Sequence, residues 1–143
     1  MKEVMHMKRR IISSLPLIIL GLIIGLGPQF IFPVCEAGEK VMKCFWTARI
    51  ELGIGGLIVL LSLIYIAFRE TGVRLGLVIA IFFSSILSIL VPTVLIGVCG
   101  MATMQCRVQT LPALVVSGAL TALISAIYGL ILAGDLKKAG NTL

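Results

Sequence analysis

The sequence predicts an all-α fold: an integral membrane four-helix bundle with the N- and C-termini cytoplasmic. Three observations predict it. Of 143 residues, 59% are apolar and only 13% charged, against about 45–50% and about 25% in ordinary soluble domains. The apolar residues gather into four runs of the length that a bilayer core demands, about 20 helical residues. The lysines and arginines collect at the ends of those runs, as topology signals do. They form no stripe along an amphipathic helix, so the net charge of +6 does not read as a nucleic-acid surface.

The elements follow in order, within a single domain spanning 1–143. The first helix is expected at about 11–32, a charge-free run behind Lys8, Arg9 and Arg10. Its length exceeds the roughly 7–15 apolar residues of a signal-peptide core, and no small-x-small cleavage site follows. Val34 is also too large to precede Cys35 in a lipoprotein cleavage box. The second helix is expected at 46–68, with Trp46 at the interface, where an amphipathic ring is favoured. It closes at Arg69-Glu70-Thr71-Gly72, a polar turn with a glycine breaker. The third, 73–98, contains Pro92, which removes one backbone donor and predicts a kink. Ser84, Ser85 and Ser88 on that helix suit hydrogen bonds to a neighbouring helix or to carbonyls that the proline frees. The fourth, 108–132, has Pro112 at a first-turn position, where a missing N–H costs little. Gly134, Asp135, Lys137 and Lys138 return the chain to water.

Orientation follows from the basic residues flanking the spans. A cytoplasmic N-terminus places eight of them inside (Lys2, Lys8, Arg9, Arg10, Arg69, Arg74, Lys137, Lys138) and four outside (Lys40, Lys43, Arg49, Arg107). The expected location is the plasma membrane, with loops 33–45 and 99–107 extracytoplasmic. Between helices in lipid, small residues that let backbones approach supply the adhesion. Gly21 and Gly25 form one such pair. Gly118, Ala122 and Ala126 form a longer stripe, with Ser125, Gly129 and Ala133 beside it.

The outer loops hold all the chemistry that the sequence offers. Cys35, Cys44, Cys99 and Cys106 flank them in pairs. Val34-Cys35 opens the first loop, Met42-Lys43-Cys44 closes it, and Thr47 follows. Val98-Cys99 opens the second, Met104-Gln105-Cys106 closes it, and Thr110 follows. The match points to two parallel helical-hairpin repeats, an arrangement known in membrane proteins. Three readings of the sulfurs are open. Structural disulfides are the usual fate of an even number of cysteines in an oxidising compartment. Pairing within loops closes rings of eight and six intervening residues. Pairing across loops staples the hairpins and removes more unfolded-state entropy. Thiol–disulfide exchange, with a quinone as cofactor, is the second reading. The layout resembles that of quinone-linked disulfide-forming enzymes and vitamin K epoxide reductase relatives, but their Cys-x-x-Cys pair is missing, and Cys106 beside Arg107 is the candidate activated thiol. The third is a soft-metal site for Cu(I), built from Cys99, Met101, Met104 and Cys106 with Met42 and Cys44 adding ligands. Methionine as apolar loop packing is the commoner alternative. Glu51 and Arg107 are a candidate ion pair across helices; solvated charges at headgroup level are the plainer reading.

Met42 through Ala48, then Glu51-Leu52-Gly53, then Cys99 through Cys106 and Thr110-Leu111-Pro112-Ala113-Leu114 resemble an uncharacterised prokaryotic membrane family known only as a domain of unknown function. The resemblance covers nearly the whole chain. It implies the four-helix layout and an association with ABC-type export systems, and it assigns no catalytic residue. It also implies histidine in many members where this chain has Phe45, a departure that weakens the metal reading. The leading expectation is a non-enzymatic accessory or structural subunit with a disulfide-stabilised extracytoplasmic cap and no cofactor. Its partners are the lipid bilayer and either an export system or further copies of itself. The alternatives are a membrane thiol–disulfide oxidoreductase and a copper-type binding protein.

Overall fold

The computed structural model describes residues 1–31, 43–98, 100 and 106–141. Among these residues the chain is helical, with four helices: α1 (Lys2–Leu26), α2 (Lys43–Ala67), α3 (Thr71–Leu90) and α4 (Leu111–Gly140). All four are long and apolar enough to cross a bilayer. The helices overrun the expected bounds at the end that carries the termini. There α1 starts nine residues before position 11, and α4 runs eight beyond 132. The charged flanks do not break a helix; they only mark where it leaves the hydrocarbon.

The surface is inside-out relative to a soluble bundle. Phe83 is 64% exposed and Leu130 75% exposed, while Ser14, Ser62, Ser85, Ser88, Thr121 and Ser125 are fully buried. Lipid gives helices little hydrophobic reason to associate, so small hydroxyl residues and close backbones share the interior with an apolar core that includes Leu17, Ile24, Ile58 and Ile81. Each hydroxyl needs an acceptor there, and most find one in their own helix. Ser62 donates to the Ile58 carbonyl at 2.7 Å, Thr121 to Ser117 at 2.7 Å and Ser125 to Thr121. These are i−4 back-bonds, which satisfy the group without a partner helix.

Helix α1 packs chiefly on α2, and α3 chiefly on α4, so the molecule is two hairpins side by side. The hairpins repeat one another. Moving 64 positions along the chain carries Ser14, Leu17, Gly21, Ile24 and Pro28 onto Val78, Ile81, Ser85, Ser88 and Pro92, and all ten are buried. Moving 63 positions carries Thr47, Gly55, Ile58 and Ser62 onto Thr110, Gly118, Thr121 and Ser125, again all buried. The close contacts repeat as well. A Cβ on Gly55 would stand 2.5 Å from the Gly21 carbonyl oxygen, and one on Gly118 would stand 3.2 Å from that of Ser85. Gly21 with Gly25 thus forms the α1 side of the first hairpin's seam, as its spacing predicts. The repeats run parallel, related by an axis along the bundle.

On α4 the buried stripe is Leu114, Ser117, Gly118, Thr121, Ser125 and Leu132. This corrects the expected one. Gly118 and Ser125 lie in it, but Ala126 and Ala133 are exposed. Steps of four residues advance about 40° beyond a full turn each time, so 118–122–126 winds off the contact face.

Two prolines, Pro28 and Pro92, mark where the α-helical ladder widens, whereas Pro16 lies within regular α1. Pro28 lies in a π-helical turn, Gly27–Ile31, and Pro92 in another, Val91–Leu95. Proline lacks the N–H and crowds the carbonyl one turn back, and the wider turn relieves both. After Pro92, the Ile96 and Gly97 amides both donate to the Val91 carbonyl, at 3.0 and 3.3 Å. Gly97 then takes φ 77°, a conformation that glycine adopts without a Cβ penalty, and the chain leaves α3. A third π-helical turn, Cys106–Thr110, leads into α4. Thr47 lies three residues after Cys44, but Thr110 lies four after Cys106. The turn absorbs that extra residue and returns α4 to the register of α2.

Candidate functional site

The end of the bundle away from the termini carries the described part of the predicted site. Cys35, Met42, Cys99, Met101 and Met104 lie outside the described residues. Cys44 stands in the first turn of α2 and is 1% exposed. Cys106 begins the π-helical turn before α4. Among the described residues, no group of three or more His, Cys, Asp or Glu is arranged to hold a metal ion.

Cys44 heads the buried face of α2, which continues through Thr47, Ala48 and Glu51 to Ile54, Gly55 and Ile58. The spacing of three and four residues keeps all of them on one side of the helix. Two of them reach across to α3 and the segment after it. The Thr47 hydroxyl donates to the Gly97 carbonyl at 3.1 Å. The Ser88 hydroxyl donates to Glu51 Oε2 at 2.7 Å. Thr47 begins just past the first cysteine loop and Gly97 lies just before the second, so the first bond brings the two loop bases together.

Glu51 is the notable member. It is fully buried, and Oε1 has no hydrogen-bond partner. It sits eight residues into α2, about 12 Å along the helix from Lys43. The expected pairing with Arg107 is corrected here. Arg107 is exposed and donates to the Gly100 carbonyl at 3.4 Å, while Glu51 takes Ser88. The headgroup-level reading of Glu51 falls with it. The reason is helical phase: Glu51 lies seven residues after Cys44 on the packed face, and Arg49 lies on the exposed one. The Arg49 guanidinium instead lies 5.2 Å from the centre of the Phe45 ring.

The three serines expected to bond to a neighbouring helix or to carbonyls freed by Pro92 divide. Ser88 bonds across to α2. Ser84 and Ser85 turn back to Ala80 and Phe82 of their own helix, at 2.9 and 2.7 Å. Reading the sequence missed Ser88 as the partner of Glu51, because no periodicity within one helix reveals which residue faces it on the next.

The repeat shows how unusual the carboxyl is. Its counterpart in the second hairpin is Leu114, and the counterpart of Ser88 is Ile24. Those two are buried in the apolar core together with Leu17, Ile54, Ile58, Ile81 and Val91. One hairpin boundary is therefore apolar at this level and the other polar. An ionisable group at this depth is costly in a membrane and marks function more often than stability. Chemically, the place offers one oxygen that can accept or donate a hydrogen bond, two helical turns from Cys44 on the same buried face.

No curated protein and no solved structure matches the chain. A family model matches residues 17–131, which takes in both hairpins and both cysteine loops. This multi-pass membrane protein belongs to the family described as a domain of unknown function (DUF4418).

Proposed function

We propose that the protein is a non-enzymatic accessory subunit of a plasma-membrane assembly, and that its working end is an extracytoplasmic cap held by disulfides among Cys35, Cys44, Cys99 and Cys106. The observation that carries this reading is the Thr47–Gly97 hydrogen bond of 3.1 Å. It ties Thr47, three residues after Cys44, to Gly97, two residues before Cys99, and so joins the helix ends that frame the two loops. The buried Glu51–Ser88 bond below it supports a rigid seat for such a cap. The eight-to-four division of basic residues supports the orientation.

The test is a thiol count. Protein purified without reductant is denatured, alkylated and weighed, with and without prior reduction. The reading expects no alkylation before reduction and four additions after it. Four additions without reduction would end it. A pair that exchanges freely with glutathione would move the assignment to thiol–disulfide exchange, and stoichiometric copper by elemental analysis would move it to a soft-metal site. An Asp135→Cys variant expects labelling by a membrane-impermeant maleimide only after cells are permeabilised.

A further inference from the structure

A cavity of about 520 Å³ lies at the opposite end, lined by residues of all four helices. That volume is within the range of ligand sites, about 300–1,000 Å³. Arg9 and Arg10 of α1, Arg74 of α3, Tyr65 of α2, and Tyr128 and Asp135 of α4 are among its walls. Three arginines and one aspartate therefore line one hollow. The repeat explains the arrangement. Arg10 and Arg74 are counterparts, and so are Tyr65 and Tyr128. Each hairpin delivers one arginine and one tyrosine of these matched pairs to the shared hollow, and α1 adds Arg9.

One of the two arginines is held firmly. Arg74 donates to the Tyr65 hydroxyl, and its guanidinium carbon lies 4.4 Å from the centre of the Tyr65 ring. Its Nε is nevertheless buried and has no hydrogen-bond partner. A buried donor without an acceptor costs about 1–3 kcal/mol, and here it sits in a positively charged hollow. The wall also has an apolar side that opens outward: Ile12 is 69% exposed and Ile131 54% exposed.

We propose that this cavity binds a phosphate group, carried by the headgroup of an anionic lipid. A planar guanidinium with a fixed orientation is the side chain that matches phosphate oxygens in pairs. Basic hollows between membrane helices are a known chemistry for phospholipid headgroups. The exposed isoleucines give acyl chains a surface to follow, which a free phosphate would not need. The inference does not depend on the state of the cysteines, which lie at the other end.

The full chain in mild detergent is titrated with phosphatidylglycerol, phosphatidylcholine or inorganic pyrophosphate while its melting temperature is followed. Phosphatidylglycerol is expected to raise it and phosphatidylcholine to leave it unchanged. Arg10→Gln and Arg74→Gln are each expected to weaken phosphatidylglycerol binding about tenfold, the loss of one charge-assisted hydrogen bond. Arg74→Lys keeps the charge but lacks Nε, and is expected to weaken it as well. Arg107→Gln, at the far end, is the control that leaves binding intact. Stabilisation by pyrophosphate equal to that by phosphatidylglycerol would keep the phosphate site and assign it a soluble ligand. No stabilisation by either anion would overturn the proposal. So would stabilisation that survives Arg10→Gln, the variant that removes no intramolecular bond described above.

Discussion

Ser88 and Glu51 place a hydroxyl and a carboxyl where the second hairpin has isoleucine and leucine. Removing one partner and removing both have opposite consequences. Ser88→Ala leaves the carboxyl with neither oxygen satisfied in a buried setting, which costs about 1–3 kcal/mol. Thermal melting in detergent should show that loss. The double variant Glu51→Leu with Ser88→Ala removes both polar groups while staying close to the volume of the pair. Replacing a buried polar pair with apolar residues of similar volume is often neutral, or stabilising by about 1–4 kcal/mol. The double variant should therefore melt at or above the parent's temperature while each single change lowers it. A double variant less stable than Ser88→Ala alone would show that the polar pair is there for stability after all.

The helices themselves are joined in two different ways. Inside each hairpin the seam is steric. A Cβ on Gly55 would meet the Gly21 carbonyl oxygen and Gly25 Cα at 2.5 Å each, both backbone atoms that cannot swing aside. Gly55→Ala should thus push α1 from α2 and lower stability by about 1–3 kcal/mol. Gly53→Ala, with nothing within 4 Å, should melt like the parent or slightly above it, since alanine favours helix by up to about 1 kcal/mol. Between hairpins, the α2–α3 boundary adds polar ties: Thr47 to Gly97, Ser88 to Glu51 and Arg74 to Tyr65. This division explains what was readable. Charge-free runs, the proline positions and the Gly21–Gly25 pair are properties of one stretch of chain, and they predicted the spans and the first seam. Glu51 with Ser88, and Arg10 with Arg74, are meetings of residues tens of positions apart. Each of those arginines read only as a marker of membrane topology. The far end of α4 was misjudged for a related reason: alanines at four-residue spacing look like a seam, but the helix turns them toward lipid.

At the level of the whole molecule, two copies of one hairpin lie side by side, alike at one end and less alike toward the other. The cavity end keeps the arginine and tyrosine in both copies. The middle level keeps the polar pair in one only. At the sulfur end, the entry to the second helix of each hairpin differs by a single residue, four from Cys106 to Thr110 against three from Cys44 to Thr47. The π-helical turn at Cys106–Thr110 makes that stretch a natural place for the chain to lose a residue. Deleting exposed Gln109 should let the turn tighten into ordinary α-helix, and circular dichroism and melting should find the bundle intact. Deleting Val78 from the middle of α3 would rotate everything after it by about 100° and should leave no folded protein. The contrast implies a history in which a gene copied itself end to end and then drifted in length where a helix had room to store the difference.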